Sequence, residues 1–74
     1  MVNVKSFNIT AENFVQYEDI FVATVKHDFD STNLVVSCTN EKGSVIFDFG
    51  FPDTNHTQIK VLKAENVKVN ILSL

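Results

Sequence analysis

The sequence predicts an all-β fold, a small antiparallel β-sandwich of about six strands, with a small barrel as the alternative. Apolar and polar residues alternate with a period of two in short runs about ten residues apart, and polar connectors separate these runs. No stretch repeats apolar residues at helical spacing, which argues against a long helix. The 74 residues leave room for one hydrophobic core, so residues 1–74 are expected to form a single domain.

Two strong runs at residues 19–38 form the centre of the predicted fold. They are rich in β-branched and aromatic residues and flank a polar connector, which is typical of a β-hairpin or of two neighbouring strands. Ile20 and Val22 add apolar side chains to the second face of the first run, which predicts that this strand begins covered on both sides. The predicted strands are residues 2–9, 19–27, 33–39, 44–51, 57–63 and 67–73.

Several local features complete this prediction. The alternation changes phase between Val4 and Phe7, which indicates a bulge or an early strand break. A single helical turn is expected near residues 11–14. Pro52 is expected to end its strand, and residues 53–56 then form a polar loop.

The third predicted strand begins after a tight turn and carries a row of aromatic residues. Gly43 is expected to supply the positive φ of a tight turn over residues 40–43. Phe47, Phe49 and Phe51 then follow at a period of two and form a broad apolar stripe. Core packing is the expected role of this stripe.

The charge pattern excludes some classes of function. The net charge is −3, and the six basic residues are all lysines scattered singly between acidic ones. Nucleic-acid binding requires clustered positive charge, so it is not expected. No apolar run is long enough to span a membrane, and residues 1–7 lack the apolar core of a signal peptide. Neither a membrane-embedded protein nor export by a signal peptide is therefore expected.

The residues that could carry chemistry do not form a catalytic pattern. Cys38 alternates with apolar neighbours, so it is expected to be a small buried hydrophobe. His27 is expected to close a hydrogen bond at the end of its strand, and His56 to be solvated in a polar loop. No nucleophile, base and orienting group can be assembled from these, so no enzyme activity is predicted.

No metal or cofactor is predicted either. One cysteine and two distant histidines do not match a zinc site. Asp28, Asp30 and Asn33 cluster in the first connector, but this segment lacks the glycine and the closing glutamate of a calcium loop. A solvated turn is the preferred interpretation of this cluster.

A family resemblance begins at the same connector. An apolar strand ending at His27 leads into Asp28-Phe29-Asp30-Ser31-Thr32 and then into Leu34-Val35-Val36-Ser37. A charged turn, a strand, an Asp-Thr-Asn loop and two closing strands follow. Over about residues 19–74 this resembles small β-modules of tail-fibre, baseplate and head-fibre proteins of bacteriophages of Gram-positive hosts. Those modules usually have glycine where this chain has Asp30, and a Trp that this chain lacks.

The resemblance implies a β-sandwich like the shoulder domains of lactococcal-type receptor-binding proteins, with a homo-trimer as the oligomer to test. It implies a non-enzymatic phage protein that acts through protein–protein contacts, either in the virion tail, baseplate or fibre or as an accessory module. No site is carried over, because the receptor-binding residues of that family lie in other domains. One alternative is a phage protein that binds a host factor inside the cell. The other is a carbohydrate-binding module that uses Tyr17, Phe51 and the loop at 53–56.

Overall fold

The computed structural model describes residues 3–45 and 47–74, and over these residues it confirms the predicted all-β sandwich. In this part of the chain, eight strands form two antiparallel four-stranded sheets. Val2 in the first predicted strand and Ile46 in the third lie outside the described residues. In chain order the elements are β1 (Asn3–Ile9), a 3-10 turn (Ala11–Asn13), β2 (Val15–Tyr17), β3 (Ile20–Lys26), β4 (Leu34–Asn40), β5 (Gly43–Ser44), β6 (Asp48–Asp53), β7 (His56–Val61) and β8 (Val67–Ser73).

The strand order differs from the expected hairpin at residues 19–38. Sheet I has the order β1-β8-β4-β5 and sheet II the order β2-β3-β7-β6, so β3 and β4 lie in different sheets. Each pairs with a strand from the end of the chain, β3 with β7 and β4 with β8. Residues 27–33 therefore cross between the sheets. A period of two identifies the side chains that share a face but does not identify the strand that lies alongside, so the pattern is equally consistent with both pairings.

The third predicted strand also divides between the sheets. β5 ends at Ser44 in sheet I, and β6 begins at Asp48 in sheet II. Pro52 does not end the strand but lies within β6, which is an edge strand where a missing N–H is tolerated. The predicted loop at 53–56 is shorter than expected, because Asp53 and His56 are already paired across a tight turn.

The first strand is regular, and the predicted bulge is absent from it. Val4 pairs with Leu72 and Phe7 with Val69 in one continuous register. Val4 is simply exposed on the outer face, which is why the apolar pattern appears to change phase. Among the described strands a register shift occurs instead in β6, between Gly50 and Asp53.

Two predicted turns are confirmed. The helical turn near residues 11–14 is the 3-10 turn, and the Asn13 side-chain oxygen accepts a hydrogen bond of 3.0 Å from the Thr10 N–H. Gly43 has a φ of 122°, which the tight turn after β4 requires and which favours glycine.

The core lies between the inner faces of the two sheets. Ile59, Val69 and Ile71 are fully buried, and Cys38 is buried as predicted. The aromatic stripe is less buried than expected, since Phe47 and Phe51 are half-buried and Phe49 is 41% exposed. The reason is its position on and directly before β6, an edge strand of sheet II. The other buried apolar residues are Ile9, Phe14, Ala23, Val25, Val61 and Val67.

Candidate functional site

The candidate nucleophile and bases are placed apart. Cys38 pairs with Val69 in sheet I, whereas His27 follows β3 in sheet II, and no hydrogen bond among the described residues joins Cys38 to either histidine. Burial raises the pKa of the Cys38 thiol, and the negative charge of Glu65 raises it further. A thiol with a raised pKa carries little of the nucleophilic thiolate at neutral pH.

His27 forms hydrogen bonds through both its backbone and its ring. It lies directly after β3, is fully buried, and its backbone N–H donates to the Asn55 carbonyl at 2.9 Å. Its ring nitrogen Nδ1 accepts a hydrogen bond from the Phe29 N–H at 3.1 Å, which is the predicted hydrogen bond at the strand end. Burial lowers the pKa of His27, and the nearby charges of His56 and Lys5 act in the same direction.

A lysine from the other sheet closes this cluster. Lys5 of β1 donates from Nζ to the His27 carbonyl at 2.5 Å and lies 4.8 Å from the centroid of the Phe29 ring. The Phe29 ring in turn stacks on the His27 imidazole with centroids 5.4 Å apart. These three residues, the His27 cluster, connect the crossing segment to both sheets.

His56 is not solvated in a loop, as the sequence suggested, but is the first residue of β7 and half-buried. Its Nδ1 lies 2.9 Å from both carboxylate oxygens of Asp53, across the turn between β6 and β7. The hydrogen bond with His56 is the main cause of the lowered pKa of Asp53.

The acidic residues of the first connector contact different side chains of the protein. Asp28 forms an exposed ion pair with Lys26 at 3.7 Å. Asp30 accepts a hydrogen bond of 2.9 Å from the Thr54 hydroxyl. Within residues 3–45 and 47–74 no group of three or more His, Cys, Asp or Glu side chains is placed to hold a metal ion.

The outer face of sheet II carries a group of apolar side chains, which we call the outer patch. Its first row joins Val15 on β2 to Val22 on β3, and its second row joins Tyr17 to Ile20. Val15 is 56% exposed, Tyr17 60% and Leu62, which shares a shallow depression with Ile20, 75%. Ile20 and Val22 are half-buried. The outer patch therefore consists of Val15, Tyr17, Ile20, Val22 and Leu62.

The sequence predicted that β3 would be covered on both faces. None of the described elements packs over its outer face. Val15 was missed, and Tyr17 was named only for a glycan surface, because β2 is three residues long and was not predicted as a strand. The available signal was the pair Ile20 and Val22, which place apolar side chains on the face opposite to buried Ala23 and Val25.

Tyr17 and the loop at 53–56 do not form the single glycan surface that the sequence suggested. Tyr17 pairs with Ile20 at the start of β3, whereas His56 pairs with Lys26 at its end. Six residues of extended strand separate these ends by about 20 Å. The aromatic rings of Phe47, Phe49 and Phe51 are tilted against each other rather than forming a flat platform.

The chain matches no protein-family model, no curated protein and no solved structure. Among the described residues, no helix has the length and apolar character needed to cross a membrane.

Proposed function

We propose that this protein is a non-enzymatic binding module that engages a protein partner through the outer patch. The observation that carries the proposal is the exposure of Val15, Tyr17 and Leu62 beside half-buried Ile20 and Val22 on one sheet face. Single exposed apolar side chains are ordinary, but a contiguous group of them on a small domain marks an interaction surface. Tyr17 gives this group a tyrosine, a residue type that often dominates binding energy.

The border of the outer patch indicates the chemistry of the partner. Glu18 and Asp19 form the exposed turn between β2 and β3, directly beside Tyr17 and Ile20. The ion pairs among the described residues are Lys26–Asp28 and Asp53–His56, so neither acid of this turn is neutralised by one. Lys60 pairs with Val22 on the β7 side of the patch, so the acidic border is confined to this turn. A partner with an apolar centre and lysine or arginine opposite the turn would complement the surface.

The setting we propose is the one that the sequence resemblance implies, a phage tail, baseplate or fibre. Asp30 supports it, because its φ of 51° lies in the left-handed region that favours the glycine usual at this position in those modules. A host protein inside the infected cell is the alternative partner. Mass spectrometry of purified particles separates the two, since a virion module is present at a stoichiometric copy number and a host-directed protein is absent.

The surface itself is tested by site-specific crosslinking in cells that produce the protein. A photo-crosslinking residue replaces Tyr17 in the outer patch, and the same residue replaces Val35 as the matched control. Val35 is a stringent control because it is 50% exposed and pairs with Leu72, which also pairs with exposed Val4, so it lies in a shorter apolar row on the outer face of sheet I. The proposal predicts one crosslinked protein from position 17 and none from position 35.

Affinity measurements with the purified crosslinked partner complete the test. Tyr17→Ser is expected to weaken binding by at least about tenfold, and Val35→Thr to leave it unchanged. The weakening should be accompanied by a dependence on salt if the partner supplies basic groups to Glu18 and Asp19. Crosslinks only between copies of this chain, or equal crosslinking from both positions, would contradict the proposal.

A further inference from the structure

We propose that protonation of His27 breaks its hydrogen bond with the Phe29 N–H and thereby releases residues 28–33, the segment that crosses from sheet II to sheet I. The proposal concerns the end of the sandwich opposite to the outer patch and does not depend on the partner proposed above. It starts from the side chain of His27, which is fully buried. Its Nδ1 accepts a hydrogen bond from the Phe29 N–H and is the nitrogen that would take up the proton.

The tautomer of His27 follows from its contacts. Nδ1 accepts the Phe29 N–H, so in the neutral ring the proton must be on Nε2. Nε2 is buried and has no hydrogen-bond partner among the described residues. The ring therefore has one contact that depends on its protonation state, and that contact shapes the start of the crossing segment.

Protonation removes this contact. A proton on Nδ1 converts the acceptor into a donor that faces the Phe29 N–H, so the hydrogen bond cannot form. The new charge also lies in a buried position, where charge is costly. Opening the segment relieves both effects, since it exposes the imidazolium and the Phe29 N–H to water.

The charged groups around the ring act in both directions. Lys5 from β1 and His56 from β7 disfavour the imidazolium, whereas Asp28 from the crossing segment and Asp53 from β6 favour it. Burial is the largest effect, and the pKa of His27 in the closed state is lowered from 6.5.

The sign of the pH dependence follows from this. An exposed histidine with an ordinary pKa binds a proton more readily than His27 does in the closed state. Closure is therefore most favourable above pH 6.5 and weakens as the pH falls towards the lowered pKa. Within this window the equilibrium constant for opening rises by up to about tenfold for each pH unit.

Within the segment Phe29 is half-buried and packs against the core, and the other contacts lie near the surface. The Asp30 N–H donates to the Asn55 side-chain oxygen at 2.8 Å, and the Ser31 N–H donates to the Thr54 carbonyl at 2.8 Å. Both join the segment to the turn between β6 and β7 and not to the centre of either sheet. Opening can therefore be local, with the paired strands retained.

The experiment is amide hydrogen exchange on the ¹⁵N-labelled protein between pH 5 and pH 7.5, with His27 ring nitrogen shifts recorded in parallel. The amides of Phe29 and Ser31 report on the segment, and those of β7 and β8 report on the sheets. The proposal predicts that protection of Phe29 and Ser31 falls by up to about tenfold per pH unit below 6.5, while protection in β7 and β8 changes far less. The fall must begin near pH 6.5 and level off at the pH where the His27 ring nitrogens titrate in the closed protein.

Two variants locate the effect. His27→Asn retains an acceptor two residues before the Phe29 N–H, the arrangement of an Asx turn, but does not titrate, so the selective fall should vanish. His56→Asn removes the second histidine and should preserve it. Protection that is independent of pH, or that falls equally at all amides, would overturn the proposal. If His27→Asn does not fold, a selective loss of protection in wild-type protein that continues below the pH at which His27 titrates would do the same.

Discussion

The substitution Thr57→Val is expected to stabilise this protein, although most substitutions of fully buried residues destabilise. Thr57 lies on the inner face of β7, paired with Val25, and is completely buried. Its hydroxyl oxygen has no hydrogen-bond partner among the described residues. A buried hydroxyl without a partner lowers the free energy of unfolding, because it loses its hydrogen bonds to water on folding.

The size of the effect follows from the removal of one polar group without a change of shape. Leaving a buried polar group unsatisfied costs about 1–3 kcal/mol, and valine replaces the hydroxyl by a methyl group of similar volume on the same branched carbon. We therefore expect the free energy of unfolding to rise by about 1–2 kcal/mol. A domain of this length should show an increase in Tm of about 4–8 °C for each kcal/mol.

Urea unfolding followed by circular dichroism measures the change, and two further variants serve as controls. Thr24→Val makes the same chemical change at an exposed site on the outer face of neighbouring β3, where the effect should stay within about 0.5 kcal/mol. Thr57→Ser keeps the hydroxyl and removes the methyl group, so it should destabilise by about 1 kcal/mol. A loss of stability in Thr57→Val with little change in Thr24→Val would refute the reasoning, because the hydroxyl would then have a partner, such as a buried water molecule.

Two further predictions concern the backbone of the crossing segment and the single thiol. Asp28 has a φ of 58°, so Asp28→Gly should be more stable than Asp28→Ala by about 1 kcal/mol in the same urea assay, and equal stability of the two variants would contradict a left-handed conformation there. Cys38 is 2% exposed and burial raises its pKa, so a thiol reagent at pH 8 should label it slowly in the native protein and rapidly in urea. Fast labelling of the native protein would contradict its burial.

The sequence allowed the fold class and most strand positions to be predicted, because alternation over a few residues is a local property. It predicted β8 at residues 67–73 and placed Cys38 in the core, as the structure has them. It did not predict that β4 pairs with β8 rather than with β3, since pairing between distant strands leaves no local trace. The left-handed residues Glu18, Asp28 and Asp30 show the same limit, because none of them is the glycine that would have indicated this conformation.

The His27 cluster and the outer patch depend on the same long-range information. The contact between Lys5 and His27 joins residues 22 positions apart and two different sheets, so no spacing rule could predict it. Val15 and Tyr17 can be assigned to the outer patch only from their pairing with β3, because a strand of three residues is too short to show a period.

The outer patch also follows from a count of layers. A chain of 74 residues builds two sheets, and two packed sheets provide cover for one face of each. β3 nevertheless has apolar side chains on both faces, with Ala23 and Val25 in the core and Ile20 and Val22 on the outside. A two-layer domain cannot cover both sets with its own strands, so one set must be exposed in the isolated chain. This is the physical argument for expecting the missing cover of β3 from a partner, and it makes the outer patch the first surface on which to look for one.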